Sequence, residues 1–374
     1  MKSVKKVLLI SIGVLFLVLG VVVVFDLGNV QEANINESPL LKRFLQQGNQ
    51  AYNAFDYATA LKKAEQGLNL ARQTNDDRFI VRFLGSLGMV YEKQGEYQKA
   101  LHDYFQPALA MAYKINDLHE ITAQLGNIGV VYHQLGQYQH ALDHFQPALE
   151  LARDSGNKHK VVTSLNHIGD VYVNLEQYRQ AEDYLWTALN LARKEQEVSI
   201  YHQGNSLGNL GSMYNRLEQQ RRALYYLQQA LEVAQRTENK YLKSQYLGII
   251  GRVSGELEQH QQAEDDLQQA LAIARAIGAK HLIAIHLNQL GQLYKKLGDS
   301  QKAQTAFQES VLIQDTLGVS TAWKSQRELA VLKTGLNIHL SQPDTVISYY
   351  EHALDNLEKL RSGLTEKQQK LYAR

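Results

Sequence analysis

His140 and His144 stand four residues apart in "YQHALDHFQPALELA", a spacing that puts two imidazoles on one side of a helix, where they could share a metal ion. No third ligand follows at a matching distance and no H-E-x-x-H motif is present, so the pair reads as surface or packing histidines. Glu264, Asp265 and Asp266 supply three carboxylates in a row. Successive residues of a helix do not share a face, so they read as an exposed charge cluster rather than an acid–base pair. The chain has no cysteine, which removes disulfides, thiolate metal sites and thiol nucleophiles. There is no glycine-rich phosphate loop and no Gly-x-Ser-x-Gly. The sequence predicts a non-enzymatic protein with no catalytic residues, metal or cofactor, and the chemistry left to it is recognition.

The elements that must position any recognition surface are helices. The 374 residues include only 4 prolines and are rich in Gln, Leu, Ala and Tyr. A net charge of +1 lacks the basic excess that nucleic-acid binding needs, so no nucleic-acid partner is expected. The sharpest break in composition is "VLLISIGVLFLVLGVVVVF", residues 7–25, which carries no charge and as a helix would span about 28 Å. Lys2, Lys5 and Lys6 precede it, and Asp26, Glu32 and Glu37 follow. These flanks predict a short cytoplasmic tail (1–6), a transmembrane anchor (7–25), a linker (26–40) and a repeat region on the extracytoplasmic, periplasmic side. Secretion after signal cleavage is the alternative.

Six segments then align: "SLGMVYEKQGEYQKAL", "NIGVVYHQLGQYQHAL", "HIGDVYVNLEQYRQAE", "NLGSMYNRLEQQRRAL", "IIGRVSGELEQHQQAE" and "QLGQLYKKLGDSQKAQ". Their glycines, Gly88, Gly129, Gly169, Gly211, Gly251 and Gly291, recur every 40 to 42 residues. Twelve residues after each comes an alanine, from Ala100 to Ala303, and Gly48 and Ala60 begin the series one unit earlier. Two amphipathic helices joined by a tight turn fit each unit. The Gly and Ala mark close helix crossings, and Tyr91, Tyr132, Tyr172, Tyr214 and Tyr294 are expected to fill the space between units. No single pair buries its apolar face, so stacking builds one continuous core. Tyr225–Tyr226 and Tyr349–Tyr350 fall where such packing wants aromatics and read as core. Glu176, Glu218 and Glu258 replace the turn glycine and predict looser turns. Pro107 and Pro147 sit inside second helices. The second unit holds one extra residue before its proline, which predicts a bulge or kink there.

The pattern Leu/Ile-Gly-x-x-Tyr, Gly-x-Tyr, Ala and a later Ala-Leu resembles the tetratricopeptide repeat. Its period of about 40 is similar to the extended repeats of kinesin light chains and partner-of-inscuteable-type adaptors. The resemblance covers residues 41–360, as seven good repeats and one degenerate one. It implies an all-α, right-handed α-α superhelical solenoid, here preceded by one N-terminal transmembrane helix. It also implies a concave face, lined by first helices, that binds protein or peptide. Carried over by register from the glycines, that face includes Asn49, Asn53, Lys93, Asn127, His133, Asn166, Asp170, Asn174, Asn209, Asn215, Arg216, Arg252, Asn288 and Lys295. The asparagines resemble the ladder in the repeats of O-GlcNAc transferase and suit the backbone of an extended segment. The lysines and arginines favour an acidic one.

The last residues, "YYEHALDNLEKLRSGLTEKQQKLYAR", resemble the junction before the CHAT protease domain of bacterial repeat proteins. No helix stop signal follows, so 361–374 reads as a capping or junction helix. The expectation is a membrane-anchored scaffold. Two alternatives are a regulatory subunit or truncated relative of a CHAT protease system, and an architectural protein that self-associates through its C-terminal helix, where Leu357, Leu360, Leu364 and Leu371 would form an apolar stripe.

Overall fold

The computed structural model describes residues 38–195, 200–317 and 328–329. These form fourteen helices in seven antiparallel pairs, and no strand occurs among them. The pairs are α1 (Pro39–Asn53) with α2 (Tyr57–Gln73), α3 (Asp77–Lys93) with α4 (97–114), α5 (Leu118–Gln134) with α6 (Tyr138–Asp154), and α7 (Lys158–Asn174) with α8 (Tyr178–Lys194). They continue with α9 (Ile200–Arg216) and α10 (Gln220–Arg236), α11 (Lys240–Glu256) and α12 (His260–Ala276), and α13 (Lys280–Lys296) and α14 (Ser300–Leu317).

Several helix starts are written in the sequence. Asp56, Asp76, Asn157 and Asn239 each accept a hydrogen bond from a backbone N–H three residues on, filling an otherwise empty donor at the helix start. Helix ends close through one residue in the left-handed region. Gly95, Gly136 and Gly298 take that role in three turns within pairs, at φ +81°, +71° and +78°. Glu176, Glu218 and Glu258 take it at +59°, +57° and +61°. The expected loosening is absent: glutamate adopts the same turn, at a conformational cost glycine avoids.

The seam within each pair is set by the repeated glycine. Gly88, Gly129 and Gly291 are covered by the rings of Phe105, Phe145 and Phe307 from the paired helix, and Gly169, Gly211 and Gly251 by Leu185, Leu227 and Leu267. The alanines Ala100, Ala141, Ala181, Ala223, Ala263 and Ala303 are fully buried opposite them. Three of the repeated tyrosines stack on a tyrosine of their own pair: Tyr91 on Tyr104, Tyr172 on Tyr184 and Tyr214 on Tyr226, with centroids 5.0, 5.4 and 5.2 Å apart. Tyr225 is not core. It is 60% exposed, because consecutive helical residues diverge and only Tyr226 faces inward.

The extra residue of the second unit is absorbed by a π-helical turn, Ala100–Phe105, inside α4. There the Gln106 N–H reaches back five residues to the Leu101 carbonyl. The wide turn returns Phe105 to the position over Gly88 although it lies 17 residues on, against 16 for Phe145 over Gly129. Pro107 follows at the start of Gln106–Lys114, whereas Pro147 sits inside an α6 that runs unbroken from Tyr138 to Asp154.

The expectation of a single-pass membrane protein is corrected: among the described residues no helix is long and apolar enough to cross a membrane. The segment 7–25 itself, most of the linker, all of the degenerate eighth repeat but residues 328–329, Tyr349–Tyr350 and the 361–374 helix lie outside the described residues.

Candidate functional site: the inner face of the first helices

First helices of neighbouring pairs pack side by side. Their inner surface divides into two kinds of row. Positions three before and four after the repeated glycine are seven residues apart, two helical turns, and share one stripe. That stripe faces the next first helix. Asn166 is 5% exposed and donates to Ser206 Oγ at 3.0 Å. Asn215 is 6% exposed and in its satisfied orientation bridges Arg252 and Glu256. His133 meets Asn174 Nδ2 at 2.9 Å, and Lys295 meets Glu328 at 2.6 Å. Gly85, Gly208 and Gly248 belong to this stripe and receive Gln124, Tyr246 and His286 from the next unit. Asn288 lies on it as well and is half-buried.

Positions two before, and one and five after, the glycine open inward. Asn49 and Asn53 are exposed, as is Arg216, and Asn127, Asp170, Asn174 and Asn209 are half-buried. Arg216 donates to Asn174 Oδ1 at 3.0 Å, an amide rather than a carboxylate. Arg252 is exposed but pairs with Glu256 at 3.1 Å. A hollow of about 250 Å³ between α11 and α13 is lined by Arg252, Glu256, Gln289, Gln292 and Lys296 among others. One position of the buried stripe also opens to the interior: a side chain at Gly126 would meet nothing within 4 Å.

Around Lys93 the face becomes aromatic. Lys93 pairs with Glu92 at 3.1 Å and keeps 39% of its side chain open to solvent. Burial works against its charge, but Glu92, Tyr52 and Tyr241 outweigh that and raise its pKa. Burial pushes Tyr52, Tyr57 and Tyr97 up to about 12, so these phenols stay neutral donors. His167 and His281 are pushed down to about 4, by burial first and then by His133 and Lys93 for the one, and Lys93 and His286 for the other. Both imidazoles are neutral near pH 7. Tyr241 and His281, which register from the glycines did not single out, are linked by a 2.8 Å hydrogen bond. They occupy the same place, ten residues before Gly251 and Gly291, and that shared place was the available signal.

His140 and His144 both pack against Tyr132, with centroids 5.3 and 5.2 Å away. Among the described residues no group of three or more metal-ligating side chains converges. Glu264 accepts from the Tyr294 hydroxyl at 2.8 Å, Asp265 and Asp266 from Gln261 and Gln262, so the three carboxylates diverge.

Family models of the tetratricopeptide repeat match residues 120–194, 242–314 and 204–240. The chain is a tetratricopeptide-repeat protein. Solved structures resemble it in fold over most of its length. NprR in complex with its cognate peptide NprX aligns with a TM-score of 0.62 at 16% identity, covering 85% of this chain and 88% of that one. A Rap protein complexed with Competence and Sporulation Factor aligns with a TM-score of 0.61 at 14% identity, covering 87% and 99%. The apo form of the quorum sensor NprR from B. thuringiensis aligns with a TM-score of 0.60 at 17% identity, covering 85% and 87%. At these identities the likeness is one of fold. No curated protein sequence matches the chain.

Proposed function

We propose that this tetratricopeptide-repeat protein is a non-enzymatic binder of a protein or peptide segment, held in extended form along its inner face. The observation that carries the reading is the inward row Asn127, Asn209 and Arg216. These side chains open to the interior and offer amide donors and acceptors together with a cation bonded only to an amide. Amides match the backbone of an extended chain whatever its sequence. Arg216 adds a preference for an acidic residue, while Arg252, Lys93 and Lys295 are each matched by a neighbouring glutamate and add little net charge. Two of the similar structures, NprR with NprX and Rap with Competence and Sporulation Factor, are complexes, which agrees with the reading. A stiff, preformed face lowers the ordering cost of binding.

Selection of a displayed random peptide library on the full chain tests this. A recurrent motif with at least one Asp or Glu is expected. Its affinity should fall at least tenfold in the triple variant Asn127→Ala, Asn209→Ala, Arg216→Glu. Unchanged affinity in that variant would refute the inner face as the binding surface. Asn166 is left out of the variant because it is buried between helices, and its loss would confuse folding with binding.

A further inference from the structure

The turn between α1 and α2 breaks the rule of the other turns. Its left-handed residue is Phe55, at φ +60°, where the other pairs place glycine or glutamate. A bulky aromatic is a costly choice for that conformation, so its side chain should be repaid by a contact elsewhere. The contact is long-range. Phe55 stacks on Tyr241 with centroids 5.6 Å apart and planes at 22°, and lies 6.4 Å from His281. Tyr241 and His281 are the second residues of α11 and α13, nearly 190 residues and more along the sequence. Ala274, Ile277, Ala279, Leu282 and Ile283 complete an apolar cluster around the phenyl ring. Phe55 is half-buried there, while Glu176, Glu218 and Glu258 at the equivalent turns are exposed. Tyr57 sits beside it at 6.5 Å, so the contact adjoins the aromatic wall around Lys93.

The first pair therefore touches the sixth and seventh, and the inner face becomes the wall of a channel closed along its side. We propose that Phe55 is a latch: seated on Tyr241 and His281, it admits to the channel a peptide that has a free end and excludes an internal loop of a folded partner until it releases. The inference rests on the inner face being the binding surface. It adds the class of ligand, a short free-ended peptide, and the residue that controls entry.

The absence of native cysteine makes the closure directly testable. The full chain with Ala54→Cys and Lys240→Cys, the exposed neighbours of Phe55 and Tyr241, keeps both rings in place and is treated with a short bis-maleimide, beside a control pair within one helical pair, Tyr91→Cys with Tyr104→Cys. Both pairs should crosslink intramolecularly in the folded protein and fail to do so in denaturant. Crosslinking of the control alone would overturn the latch. The ligand class is then read with the selected peptide, free in solution or spliced into a surface loop of a small carrier protein. The wild type should bind the free form at least tenfold more tightly, and Phe55→Gly should narrow that gap below about threefold. Equal binding of both forms by the wild type would overturn the latch while leaving the proposed function intact. If neither form binds, the proposed function fails, and crosslinking still decides whether the channel is closed.

Discussion

Gly129 and Gly126 lie one turn apart on α5 and do opposite work. A methyl group added at Gly129 would stand 2.6 Å from the Phe145 ring, which is fully buried and has nowhere to go. The same group at Gly126 would meet nothing within 4 Å. The first glycine is a crossing point between the helices of a pair. The second lies on the stripe between neighbouring first helices, where Gly85, Gly208 and Gly248 are filled by Gln124, Tyr246 and His286. At Gly126 the corresponding residue of the next unit is Ser164, too short to fill the space. Two regions of one helix thus separate what the fold needs from what the inner face leaves open.

The largest effect that tests this contrast is at the seam. Gly129→Ala should destabilise the protein by about 2–3 kcal/mol, the cost of overpacking a rigid core, measured as a lowered urea midpoint. A change below about 0.5 kcal/mol would mean that the Phe145 ring moves freely.

Next comes pH. His167 and His281 have folded pKa values near 4 against 6.5 in the free side chain. Between those values the unfolded chain binds more protons than the native one, so stability present above pH 6.5 is lost as pH falls toward 4. A loss on the order of 2–3 kcal/mol for each histidine is expected, read as a falling melting temperature, and His167→Gln with His281→Gln should flatten the profile. A profile equally steep in the double variant would show that other groups carry it.

Smaller effects separate the two asparagines of the inner surface. Asn166→Ala should cost about 1 kcal/mol, since it removes the bond to Ser206 but also a buried amide oxygen that has no partner. Asn127→Ala should cost less than about 0.5 kcal/mol in the same denaturation series, because its Nδ2 contact with Gln124 is long, at 3.2 Å, and half-exposed. Smallest, and opposite in sign, Gly126→Ala should stabilise by about 0.5–1 kcal/mol, because alanine restricts the unfolded chain and fills no occupied space.

The pairs, their crossings and the π-turn were legible in the sequence because they repeat. A glycine, a tyrosine three residues on and an alanine nine further fix each unit locally, and one extra residue before Pro107 announces itself against that period. The inner face was legible only as a mixture. Register names Asn166 and Asn127 alike, and only the angle between adjacent first helices decides that one is buried and the other opens inward. That angle is a property of packing across some forty residues. The contact of Phe55 with Tyr241 was further out of reach, since it depends on the accumulated twist of six units. Its local trace was a phenylalanine at a turn that elsewhere holds glycine or glutamate.

The central claim, that a peptide lies along the inner face, is tested most directly by filling the open space at Gly126. Gly126→Leu should leave the melting temperature unchanged or slightly raised, while the affinity for a selected peptide, measured by titration calorimetry, falls at least tenfold. A variant that is equally stable and binds the peptide with unchanged affinity would contradict the account.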